Sequence, residues 1–164
     1  MLFIFLLPLA VIACGQAGLF SGKAPTDLGL HDGMLKAPDA GATNVVSSYA
    51  KKQAQGNTNN TGIDKGDVID TDIEPLRFNG DSNAAFGKLT QVVAAMSGAT
   101  IIKSEPAYLY AQFSTPMLKF IDDVEFVLDA PAGTIHMRSA SRLGKKDFGT
   151  NRKRLEAIRL RFAA

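Results

Sequence analysis

The chain has 164 residues, 46% of them hydrophobic and 21% charged, which fits one globular domain with extra segments. A formal net charge of +2 gives no bulk attraction to nucleic acid, and a single cysteine excludes an internal disulfide. Trp is absent, so the core must rest on Val, Leu, Ile and Phe. The charge is unevenly spread: residues 136–164 carry nine Lys or Arg against Asp147 and Glu156, while the preceding residues are net acidic.

The N-terminus, MLFIFLLPLAVIACG, is apolar from Leu2 to Ala13 and broken only by Pro8. That is short of the roughly 20 residues of a spanning helix and within the about 7–15 of a secretory signal core. No Lys or Arg precedes it. Val11-Ile12-Ala13-Cys14 resembles the bacterial lipobox, in which the cysteine is lipidated and becomes the mature N-terminus. We therefore expect residues 1–13 to be a signal peptide and Cys14 to carry a lipid. That address is a periplasm-facing membrane lipoprotein of the bacterial cell envelope.

Residues 14–78 read as a lipidated tether followed by irregular and extended chain. Residues 15–44 are rich in Gly, Ala, Pro, Asp and Thr without a sustained period, and 49–62 is a polar, turn-prone loop. Asp70, Asp72 and Glu74 alternate in the acidic stretch 63–78, but Pro75 stands where a calcium loop needs other residues. No metal site is expected.

From residue 79 the pattern sharpens into a domain. Turn and capping residues precede Phe86, Leu89, Val93 and Met96, a helical stripe that Gly98 ends. ATIIKSE reads as a strand. In AYLYAQFS, Leu109, Ala111 and Phe113 alternate with Tyr108, Tyr110 and Gln112, which marks a second. DDVEFVLD and GTIHMRSA form a hairpin around Ala130-Pro131-Ala132-Gly133. Matching apolar faces pairs Leu128 with Ile135, Phe126 with Met137 and Val124 with Ser139, and places Glu125 opposite Arg138. A last helix begins near Asn151, read as its cap, with Leu155, Ile158 and Phe162 on one face. The expected fold is α+β. Residues 79–164 form an α-β-β-β-β-α domain: a four-stranded antiparallel sheet with two helices on one face, and Tyr108, Tyr110, Glu125 and Arg138 on the other.

The run FIDDVEFVLDAPAGTIHMRSASRLGKKDFGTNRKRLEAIR resembles the signature of domain-of-unknown-function family 1499 (DUF1499), found in bacteria and plastid-bearing organisms. Asp122, Asp123, Glu125 and Phe126 match its first element. Arg138, Ser139, Ser141, Arg142, Gly144, Asp147, Gly149, Asn151, Arg152 and Arg154 match its second. A looser resemblance runs back through IEPLRF, NVVSS and DLGLHDGMLKAP. Many relatives carry two cysteines at places occupied here by Ala37 and Val45, so any disulfide or metal role for that pair is excluded in this chain. The resemblance implies a fold context and no activity.

The candidate site is a polar corner of Asp122, Asp123, Glu125, Arg138, Ser139, Ser141, Arg142, Asp147, Asn151 and Arg152. Hydroxyls, glycines and guanidinium forks leading into a helix N-terminus have the composition of an anion site. The same residues make an internal ion-pair network with no ligand. The glycine spacing is not that of a P-loop, and Asp147 follows Lys145-Lys146 where a P-loop carries Ser or Thr. No residue is assigned as catalytic. Only His31 and His136 are present, no base stands beside Ser139 or Ser141, and Asp122 and Asp123 point to opposite sides of one strand. The first expectation is a non-catalytic binding or structural lipoprotein without a cofactor. Its partners would be the membrane, through Cys14, and an anionic small molecule, a lipid or an envelope protein, but not nucleic acid. The alternative is a hydrolase-like enzyme acting on an anionic or amphiphilic envelope substrate through Asp123, Glu125 and Arg138.

Overall fold

The computed structural model describes residues 3–36, 38, 42–49, 71–144 and 146–164. Its elements in chain order are α1 (Phe3–Gln16), β1 (Leu30–His31), β2 (Met34–Leu35), β3 (Val45–Ser47), β4 (Leu76–Arg77), α2 (Ser82–Ala94), β5 (Ala99–Ser104), β6 (Tyr108–Ser114), β7 (Ile121–Asp129), β8 (Thr134–Ser141) and α3 (Thr150–Ala163). The fold is α+β, with a largely antiparallel sheet. Ala37, Asp70 and Lys145, and most of the polar loop and acidic stretch, lie outside the described residues.

The expected four-stranded sheet is corrected to six strands. Their order is β3-β8-β7-β6-β5, with β4 also pairing β8, and β1 and β2 make a separate two-stranded ribbon. β3 pairs Val45–Ser47 with Ala140–Arg138, and β4 pairs Leu76–Arg77 with Ile135–Thr134, both along the same side of β8. The physical reason is edge protection. With four strands, β8 would expose a row of unpaired backbone groups. Segments before residue 79 fill that edge in pieces of two or three residues, too short to show a period. The hairpin register is the expected one, with Leu128↔Ile135, Phe126↔Met137, Val124↔Ser139 and Glu125↔Arg138. Gly133, with φ 61°, closes its turn, where its N–H donates to Ala130 O at 3.1 Å.

Both helices pack on one face of the sheet. Phe86, Leu89 and Val93 of α2 and Leu155, Ile158 and Phe162 of α3 meet Leu109, Phe113, Phe126, Ile135 and Met137. Asp81 caps α2 by accepting from Ala84 N at 2.6 Å. Gly98 follows that helix at φ 78°, and a Cβ there would collide with the Ser114 carbonyl oxygen, so only glycine fits.

The second face, with Tyr108, Tyr110, Glu125 and Arg138, is covered as well. Leu35, Tyr49, Tyr108 and Val127 form a small buried cluster there, with Met34 and Tyr110 against it. The ribbon and the chain around Tyr49 thus cover the polar face. The covering has a large consequence: every charged group on that face must be satisfied inside the protein.

Candidate functional site

Alternation along β7 sends Asp122 to the helix side and Asp123 and Glu125 to the covered side, so the corner divides into two networks. On the helix side, Arg154 Nη2 donates to Asp122 Oδ2 at 2.5 Å, and its Nη1 reaches Asn151 Oδ1 at 2.7 Å and Ser139 Oγ at 3.0 Å. The Ser139 hydroxyl donates to Asn151 Oδ1 at 2.5 Å, while Asn151 Nδ2 donates to Asn44 O at 2.9 Å and Ser141 Oγ at 3.0 Å. The Arg154 guanidinium lies 4.9 Å from the Phe113 ring centre, a cation–π contact. Asp122, Ser139 and Asn151 are buried. The network ties α3 to β7, β8 and the start of β3.

On the covered side, Arg142 grips Asp123 in a two-pronged contact, Nε to Oδ2 at 2.8 Å and Nη2 to Oδ1 at 2.7 Å. The Tyr110 hydroxyl donates to the same Oδ1 at 2.5 Å and accepts from Gln112 Nε2 at 2.9 Å. Glu125, with no exposed surface, accepts from Tyr108 OH at 2.8 Å, Gly29 N at 2.8 Å and Arg138 Nη1 at 3.1 Å. The Gly29 contact fastens the covering segment to the sheet. Arg138 Nε is buried and has no hydrogen-bond partner among the described residues. His136 stands beside Arg138 on this face, with Nδ1 3.1 Å from Ser48 Oγ and its ring stacked 4.2 Å from that of Tyr49.

The surroundings shift the titration of the nearby groups. Hydrogen bonding to Asp123 raises Arg142 further above its usual range. Burial raises Tyr49, and burial with the neighbouring carboxylates Glu125 and Asp123 raises Tyr108 and Tyr110. These are all three tyrosines of the chain. A phenol whose native pKa lies above the unfolded value of 10.0 holds its proton more tightly when folded. Its stabilising contribution is complete below that pH and is lost as pH rises through the native pKa. We therefore expect no tyrosinate absorbance near pH 10 in the folded protein, and a rise only together with alkaline loss of circular dichroism. A tyrosine titrating freely near pH 10 in folded protein would show the face to be open.

The last helix departs from expectation at its start. Asn151 is not the cap. Gly149 holds that position at φ 78°, and the Asp147 carboxylate accepts from Gly149 N at 3.0 Å and Asn151 N at 2.8 Å. This leaves the Asn151 side chain free to enter the helix-side network. Asp147 thus serves the free N–H groups of a helix end. Arg152, expected to take an internal carboxylate of the corner, lies 3.8 Å from Glu156 and donates to the Asp72 carbonyl. Arg159 does the same further along, donating to the carbonyls of Glu74 and Pro75. Both guanidiniums clamp the chain leading into β4.

The structure brings together Asp122, Ser139, Ser141 and Asn151 on one side, and Asp123 with Arg142 and Glu125 with Arg138 on the other. Asp147 and Arg152 sit at the helix start. Arg154, Tyr108, Tyr110 and Asn44 belong to these networks and were not among the candidate residues. Arg154 had a visible signal, three residues after Asn151 and hence on the same helix face. Asn44 had none, because its carbonyl accepts from Asn151 and its side chain donates to the backbone carbonyls of Ser141 and Gly144. Ser139 and His136 lie on opposite faces of β8, and no group of three or more His, Cys, Asp or Glu among the described residues is arranged to hold a metal.

Comparison with curated proteins and with solved structures gives no match. A family model described as protein of unknown function (DUF1499) matches residues 37–162, from just after β2 almost to the end of α3. The chain belongs to the DUF1499 family.

Proposed function

We propose that the protein is a non-catalytic envelope lipoprotein, anchored through Cys14, whose polar corner is an internal clamp holding the N-terminal segment on the sheet. One observation carries the clamp: three buried arginines meet three buried carboxylates one to one, Arg138–Glu125, Arg142–Asp123 and Arg154–Asp122. A buried guanidinium without a counter-charge is strongly destabilising, so such matching is what a structural network requires. The anchor rests on the lipobox-like Val11-Ile12-Ala13-Cys14 at the end of an apolar helix. No described helix is long and apolar enough to cross a membrane.

The anchor is tested by expression in a bacterial host. Globomycin, or Cys14→Ala, is expected to leave an unprocessed chain that lacks the lipid mass. An unchanged mature mass and unchanged membrane fractionation would sink the reading.

A second reading draws on the Nε of Arg138, which has no hydrogen-bond partner among the described residues. An anionic ligand or substrate reaching that nitrogen would make Asp123, Glu125 and Arg138 the centre of a binding or hydrolytic site. Both oxygens of each carboxylate already accept hydrogen bonds, which favours the clamp. Native mass spectrometry of protein from its own host decides between them. A co-purified anion lost in Arg138→Met would favour the second reading, and a bare protein mass the first.

A further inference from the structure

Exposed apolar side chains gather at one end of the sheet. The turn joining β6 to β7 spans 115–120 and the loop joining β8 to α3 spans 142–149, and the pairing of Asp122 with Ser141 puts both at that end. Met117 is 60% exposed, Leu143 42% and Phe148 88%. Phe148 also sits in the left-handed region at φ 53°, a conformation unfavourable for a bulky residue. Its ring gains nothing from the core of its own chain.

The α1 helix reaches the same end. Gln16 Nε2 donates to the carbonyls of Pro116 at 3.2 Å and Met117 at 2.9 Å. A Cβ on Gly15 would lie 2.7 Å from the Leu118 carbonyl oxygen. Cys14 is therefore one residue from backbone contact with the turn. Val11 and Ile12 line an apolar groove together with Pro116, Met117, Leu118 and Phe120. Cleavage before Cys14 removes the α1 side of this groove and bares the turn side beside the lipid.

Basic side chains lie at this end too. Lys119 lies in the turn, Lys146 in the loop, and Lys23 follows Gly22, which packs on Arg142 and Leu143. Asp122 and Asp123 at this end are engaged by arginines, and Asp147 by helix N–H groups. The opposite end mixes both signs, with Asp81, Glu105 and Asp129 beside Arg77, Lys88 and Lys103, the last paired with Glu105.

We propose that the basic, apolar end docks on an anionic phospholipid surface. Met117, Leu143 and Phe148 enter the boundary between headgroups and acyl chains, and Lys23 and Lys119 face the phosphates. The proposal rests on the anchor reading, since the lipid on Cys14 keeps this end near the bilayer. It adds an orientation: the strands of the sheet rise away from the membrane and present the opposite end, with the β7–β8 turn, outward.

The test uses the full chain, processed in a bacterial host and reconstituted in vesicles containing phosphatidylglycerol with brominated acyl chains. Phe148→Trp supplies a single indole in a chain without tryptophan, and Met117→Trp is a second reporter should the first variant fold poorly. Ala132→Trp marks the far end. Intact mass first reports whether Cys14 carries lipid. In the lipidated chain, the indole at 148 or 117 is expected to be quenched by the brominated lipid and shielded from acrylamide, while that at 132 behaves in the opposite way. Lys23→Ala is expected to shift the docked-to-undocked ratio about fivefold toward undocked. Zwitterionic vesicles are expected to abolish the shielding. An unlipidated Cys14 overturns the anchor reading and this one with it. A lipidated chain whose reporters at 148 and 117 are as open to acrylamide as the one at 132 overturns the docking alone.

Discussion

Glu125→Ala is expected to destabilise the folded protein by about 3–5 kcal/mol, the range for removing one partner of a buried ion pair. The substitution takes from the Arg138 guanidinium, whose Nε has no hydrogen-bond partner among the described residues, the carboxylate it is paired with. It also strips the Tyr108 hydroxyl of its acceptor and releases Gly29 N, so the covering segment loses a fastening. Chemical denaturation of the single variant measures the loss. The double variant Glu125→Leu with Arg138→Met is expected to recover most of it, because two apolar groups need no solvation. If the single variant is as stable as the parent, Arg138 is not held by Glu125 and the site is open to an external anion.

The hairpin could be read in advance because alternation is a strong signal over eight or nine residues with one apolar face. Asp122 and Asp123 were assigned to opposite sides by the same rule, and each has its own arginine there. The two extra strands were hidden for the opposite reason. Val45–Ser47 and Leu76–Arg77 are too short to alternate, and their place is set by the unpaired edge of β8 rather than by their own residues. Burial of the polar face was equally hidden. It depends on Leu35 and Tyr49, which come from chain without a period and become core only once folded over. Asp147 stands just before the last helix, within reach of its free N–H groups, and its carboxylate accepts from Gly149 N and Asn151 N. Which N–H groups it meets depends on where α3 begins, a boundary that side-chain patterns specify only within a residue or two.

Arg154→Ala is expected to cost about 3–5 kcal/mol, comparable to the loss at Glu125 although Arg154 lies on a helix that is otherwise rich in exposed charge. Its guanidinium joins three elements at once: Asp122 of β7, Ser139 of β8 and Asn151 at the start of α3. Removing it leaves the Asp122 carboxylate in the core margin without its cation, and uncovers the Phe113 ring. The partners distinguish a network from a simple pair. Arg154→Lys keeps the charge and loses the planar fork, so it can serve Asp122 or Asn151 but not both, and an intermediate loss is expected. Asp122→Asn removes the buried charge from the other side and is expected to be destabilising alone. Combined with Arg154→Ala, however, it is expected to add little further loss, because the interaction it would break is already gone. Thermal unfolding of the four proteins measures this coupling. Full additivity would mean that Asp122 and Arg154 act independently, and that the helix side of the corner is not the clamp proposed for it.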